Sequence, residues 1–254
     1  MAKIFRKIRQ NLISKKQITK YLIYAIGEII LVVIGILIAL AINNSNQNKA
    51  IKKKEQIYLS GLKSEFETSK QKLNGLIREN KQNYKGAKQI LTYIANADAQ
   101  PTEAKFSKLL FNTFASDIKF NPNNSFLNEM INSGSLKDIS NKELRVKLTN
   151  WLSILDGIYK QEDELEIQRE SALDMFRTDQ YSLRTVLSHT STYEELGIPK
   201  TNNTLSNLSL LNSMEFENKV LLFILTSYAT EKAHYIPLQE HLEAIITMID
   251  GEIK

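Results

Sequence analysis

Apolar and polar positions alternate in two different ways along this chain, and each regime predicts its own environment. From Tyr21 to Ile42 the sequence YLIYAIGEIILVVIGILIALAI holds one ionisable group, Glu28, and no proline. About 20 apolar residues carry a helix across a hydrocarbon core ~30 Å thick, so this segment is expected to span a membrane. Beyond it the pattern becomes that of amphipathic helices. Leu59, Leu62, Phe66, Ser69, Leu73, Leu76, Asn80, Asn83, Ala87, Ile90 and Ile94 step by threes and fours. That is a helix from Asn46 to about Asn96 with a core-facing seam, polar in its middle. Val220–Leu225 (VLLFIL) is too short to span and reads as a buried helix face.

Breakers divide the rest. Pro101 suits the first turn of a helix over roughly Thr102–Ser116. Asn121-Pro122-Asn123-Asn124 predicts a turn, followed by a short helix Ser125–Ser133 with Gly134 as its C′ residue. Ser140-Asn141-Lys142-Glu143 reads as a capping box opening a long helix to about Asp179. Its expected core positions are Leu144, Leu148, Trp151, Leu155, Ile158, Leu165 and Leu173. Ser188–Ser213, rich in Ser, Thr and Asn, is expected to be the longest loop. A last helix runs from about Met214 to Ile253, and Pro237 inside it should produce a kink. The expected fold is therefore all-α. A single N-terminal transmembrane helix is followed by an elongated bundle of long helices, in three parts: tail 1–20, span 21–42 and bundle 43–254.

Charge refines this picture. Residues 1–20 carry Lys3, Arg6, Lys7, Arg9, Lys15, Lys16 and Lys20 and no acid, whereas the remainder holds 26 Lys and Arg against 28 Asp and Glu. The net charge of +5 thus belongs to the tail, and the body offers no nucleic-acid footprint. Excess positive charge before the span orients the N-terminus to the cytoplasm and the body to the periplasm. Ile4, Phe5, Ile8 and Leu12 recur at helical spacing while Arg6, Lys7, Arg9 and Gln10 fill the other side, which suits either a helix held on the anionic leaflet by Lys3, Arg6, Lys7 and Arg9 or an ordinary topogenic tail. Ala39-Leu40-Ala41 fits a signal-peptide cleavage site, but the apolar run is longer than a signal's, and Glu28 lies inside it. A retained inner-membrane anchor is the favoured reading.

Two stretches resemble a known family. FRKIRQ at Phe5–Gln10 with KYLIYAIGEIILVVIGILIALAINN at Lys20–Asn44 is similar to the N-terminal signature of Bacteroidetes membrane proteins catalogued only as a domain of unknown function. NSGSLKDISNKELRVKL at Asn132–Leu148 resembles a second stretch of that family. Ala41 and Ser45 stand where the family usually has Gln and an interfacial Trp. The resemblance implies a single-pass inner-membrane protein facing the periplasm and brings no activity.

Candidate chemistry is sparse. A carboxylate within a bilayer is costly unless protonated, paired or hydrated. Glu28 shares a helical stripe with Ala25, Val32, Gly35, Ala39 and Ile42, and Gly35-x-x-x-Ala39 permits close helix approach. The stripe is expected to face a homo-oligomer or another membrane subunit; ion handling and snorkelling are the alternatives. His234 and His241 lack the i, i+4 spacing of a metal helix, and Glu162, Asp163, Glu164, Glu166 and Glu170 read as a solvated face. The chain has no cysteine, which excludes disulfides and thiolate chemistry, and no phosphate-binding or nucleophile motif. A non-enzymatic scaffold or adaptor without cofactor or metal is expected, in contact with the lipid bilayer and protein partners. A proton-motive-force-linked subunit using Glu28 and a periplasmic sensor of an unknown small ligand are the alternatives.

Overall fold

The computed structural model describes residues 18–96, 98, 100–199, 201 and 205–253. It is 84% helical, with no strand among the described residues. The first helix, α1 (Ile18–Ala95), runs 78 residues without interruption. The expected span and the expected seam helix are thus one element. Asn43, Asn44, Ser45 and Asn46 join them, and each such residue costs a helix only about 0.7 kcal/mol or less relative to Ala, too little to stop it.

Packing divides the chain into two compact units, Met1–Gln56 and Ile57–Lys254. The second holds the core, built from the later part of α1 with α2 (Glu103–Phe114), α3 (Ser125–Asn132), α4 (Lys142–Leu173), α5 (Leu183–Ser188), α6 (Thr192–Glu195), α7 (Met214–Ala229) and α8 (Ile236–Glu252). α4 packs against α7 and α8, and α2 against α5 and α4. The α1 seam is buried as its spacing predicts, with only Leu76 and Ile94 partly exposed. Trp151 lies at the centre. It meets Phe66 at 5.2 Å and Phe120 edge-on at 6.4 Å, stacks on His241, and donates its indole N–H to Asn124 Oδ1 at 2.8 Å.

Several boundaries depart from the expected ones for local reasons. Pro101 lies outside α2, whose N-cap is Thr102, accepting from the Lys105 N–H. The N-cap of α4 is Asn141 rather than Ser140; its side chain accepts from the Leu144 N–H and donates to Glu252. Asn caps as well as Ser, so the one-residue shift costs nothing. α4 ends at Leu173 in a 3₁₀ turn, Asp174–Arg177. Gly134 does follow α3 in the left-handed region, at φ 71°.

The polar stretch 188–213 is not one loop. It contains α6 and a 3₁₀ turn, Leu208–Asn212, and Tyr193, Asn207, Leu210 and Leu211 are buried. Asn207 exchanges two hydrogen bonds with the Ser182 backbone, and its own N–H donates to Glu103. Asn and Ser here replace ladder partners, so their abundance does not signal exposure.

The helix is distorted just before Pro237. A π-helical turn, Thr230–Tyr235, precedes it, and the Ile236 N–H donates to the Glu231 carbonyl five residues back. Widening the turn relieves the collision between the proline ring and the carbonyl four residues earlier.

Candidate functional site

Within the first unit, α1 is long and apolar enough to cross a membrane, with a mean hydropathy of 2.9 over its most apolar window and none of that window buried. Leu22, Ile23, Ile29, Leu31, Leu37 and Ile42 are each more than half exposed. Tyr24, Ala25 and Glu28 are only partly exposed, whereas Val32, Gly35, Ala39 and Ile42 are exposed. A side chain added at Gly35 would touch nothing within 4 Å. Lys3, Arg6, Lys7 and Arg9 lie outside the described residues.

The second unit carries buried polar groups that the pattern of charge along the chain does not reveal. Glu162 is a correction: it is 2% exposed, not on a solvated face. Its Oε1 accepts from the Phe120 N–H at 2.9 Å and the Tyr235 hydroxyl at 2.7 Å. Burial raises its pKa, and the two hydrogen bonds oppose that rise. Burial, with the neighbouring Glu162, pushes the Tyr235 phenol up as well. The rest of the acidic run behaves as expected, with Glu166 held down by its contact with Lys119 at 2.7 Å.

Glu65 does similar work, accepting from the N–H groups of Phe126 and Leu127 at 2.8 and 3.0 Å and so capping α3. Ser69 accepts from the Asn123 N–H, and Lys72 donates to the Asn121 carbonyl and Asn123. Side chains of α1 and α4 thereby satisfy the irregular backbone between α2 and α3.

A third buried carboxylate, Glu231, sits on the π turn with 0% exposure, and its Oε1 is 3.3 Å from both Lys81 and Lys232. Neither oxygen has an aligned hydrogen-bond donor. Burial first, and then Glu231, raises the pKa of Tyr84. Nearby, Asn80 donates to the Ser227 carbonyl at 2.9 Å, while its own Oδ1 has no donor.

Between α1 and the end of α2 lies a cleft of about 570 Å³. Gly75, Arg78, Glu79, Gln82, Asn83 and Gly86 form one wall, a single stripe of α1. Leu109, Phe111, Asn112, Thr113 and Ser116 face them. Gly86 is required by this approach, because a Cβ there would lie 2.2 Å from Thr113 Oγ1. Asn83 and Thr113 are 3% and 1% exposed, yet Asn83 Nδ2 and Thr113 Oγ1 have no hydrogen-bond partner. The sequence signal for this site was present: Asn83 interrupts the apolar seam of α1. What it faces depends on α2, which no spacing reveals.

His189, His234 and His241 do not converge, and no group of three metal-ligating side chains occurs among the described residues. Val220 and Phe223 are buried, but Leu221, Leu222 and Leu225 are exposed, so the expected buried face covers only part of Val220–Leu225.

Among the described residues these features define an all-helical protein with one candidate membrane helix and a polar-studded helical core. The chain belongs to the Family of unknown function (DUF6090), whose profile matches residues 28–164. The match takes in Glu28 and the Asn132–Leu148 stretch but stops short of Phe5–Gln10. No curated protein matches the chain, and no solved structure does.

Proposed function

We propose that this protein is a non-enzymatic scaffold or adaptor anchored in the inner membrane by α1. The tail is cytoplasmic and the helical body periplasmic, as in the Bacteroidetes proteins its N-terminus resembles. It self-associates, or binds partner membrane subunits, through Ala25, Glu28, Val32, Gly35, Ala39 and Ile42. The observation that carries this reading is the exposed apolar surface of α1. Leaving such a surface in water costs about 25 cal/mol per Å², a penalty that lipid removes. The open space at Gly35 supports close approach of a second helix on the stripe.

Complex size in mild detergent, measured with a cellular phenotype, tests the proposal. Gly35→Leu should dissociate the complex, because a branched side chain blocks backbone approach, whereas Glu28→Gln should preserve it through an amide hydrogen bond. An intact complex in Gly35→Leu beside an inactive Glu28→Gln would instead support a proton-handling subunit, the second reading, which the carboxylate of Glu28 within an apolar helical run favours.

A further inference from the structure

We propose that the cleft between α1 and α2 is a binding site for a small carboxylate-bearing molecule. This inference concerns the second unit alone and stands whether or not α1 crosses a membrane. Its basis is the pair of unsatisfied groups in the cleft wall. A buried amide N–H and a buried hydroxyl are normally paired, and the exceptions call for a partner. Asn83 Nδ2 can only donate, and Thr113 Oγ1 can donate or accept, so both accept an oxygen ligand as partner.

The remaining wall narrows the class. Arg78, Gln82 and Asn112 stand exposed at the rim and add further donors, while Glu79 is the single acid. The amides and hydroxyls donate and accept alike, so the discriminating group is Arg78, whose guanidinium presents the planar fork that matches a carboxylate in two parallel hydrogen bonds. At about 570 Å³ the cleft exceeds an inorganic anion and falls in the range of small-molecule sites. Leu109 and Phe111 offer apolar surface to a carbon skeleton, which a bare anion would not use. Glu79 would repel a polyanion and tolerate a ligand with one or two carboxylates, or one that also carries an ammonium. Beside the cleft, a small cavity of about 10 Å³, also walled by Asn83, holds space for roughly one water. Arg169, whose Nε lacks a partner, lines that cavity.

The test uses the full chain in detergent micelles, with succinate and glutamate as probes and erythritol as a neutral molecule of similar size. Calorimetric titration and the thermal unfolding midpoint are the readouts. At least one carboxylate should bind at millimolar concentration or below and raise the midpoint, while erythritol does neither. Arg78→Gln and Asn83→Leu should each weaken binding about tenfold or more, the loss expected when a hydrogen bond to a charged group is removed. Arg78 is exposed, so its variant keeps the fold and decides the matter if Asn83→Leu unfolds. Absence of binding by both carboxylates, equal binding of erythritol, or undiminished binding by Arg78→Gln would overturn the proposal.

Discussion

Replacing Glu162 separates what its hydrogen bonds do from what its charge does. Glu162→Leu removes the acceptor for two donors, the Phe120 N–H and the Tyr235 hydroxyl. Each buried donor left without a partner costs about 1–3 kcal/mol, so the variant should lose about 2–6 kcal/mol. That is a large share of the ~5–15 kcal/mol that holds a typical domain together. Glu162→Gln keeps an oxygen that both donors can reach and abolishes the charge that burial penalises, so its cost should stay within about 1 kcal/mol. Adding Tyr235→Phe to Glu162→Leu removes one orphaned donor and should restore about 1–3 kcal/mol.

The pH dependence follows the same logic. Because burial raises the folded pKa above the ordinary 4.5, the native state holds its proton where the unfolded chain has released it. Stability from this residue therefore declines as pH rises from about 4.5 through the folded value, and Glu162→Gln lacks that slope. Urea unfolding of the full chain in micelles, followed by helical ellipticity, measures each quantity. If Glu162→Gln were as damaging as Glu162→Leu, or Glu162→Leu as stable as the parent, the assigned role would be wrong.

Two further outcomes are expected. Gly86→Ala gains helix propensity of about 1 kcal/mol but forces Thr113 aside, for a net loss of about 1–2 kcal/mol; Thr113→Ala in the same chain should turn that loss into a gain, and failure of this rescue in thermal melts would refute the contact. Burial lowers the pKa of His241 below its usual 6.5, so its contribution to stability is present above 6.5 and is lost as pH falls from there toward and through the folded value. His241→Gln should flatten that part of the pH profile, and an unchanged profile would assign the slope to other groups.

The helices were legible because period alone reports them: every apolar seam position of α1 is buried or partly buried, and Trp151 and its helix neighbours fill the core. Glu162 was not legible, because in α4 it follows Ile158 by four residues and precedes Leu165 by three, in core phase, but within a run of acids that resembles a solvated face. Composition outvoted phase there, and phase was right. Asn207 fails in the same direction: a polar residue in a polar stretch gives no hint that it bridges Ser182 and Glu103 across the fold. The cleft depends on the approach of two helices, and only Gly86 and Asn83, a gap and a polar residue in α1, mark where it falls.

The π turn also has a meaning in terms of chain length. A regular helix advances about 100° per residue, and a wider turn spends an extra residue on the same rotation. Val220, Phe223, Tyr235, Leu238 and Leu242 all reach the common core. Carried at α-helical pitch, the residues after the turn would be rotated away from the face that Val220 and Phe223 occupy. The turn thus behaves as an absorbed single-residue insertion. It keeps α7 and α8 in phase, and the fully buried Glu231 lies on it.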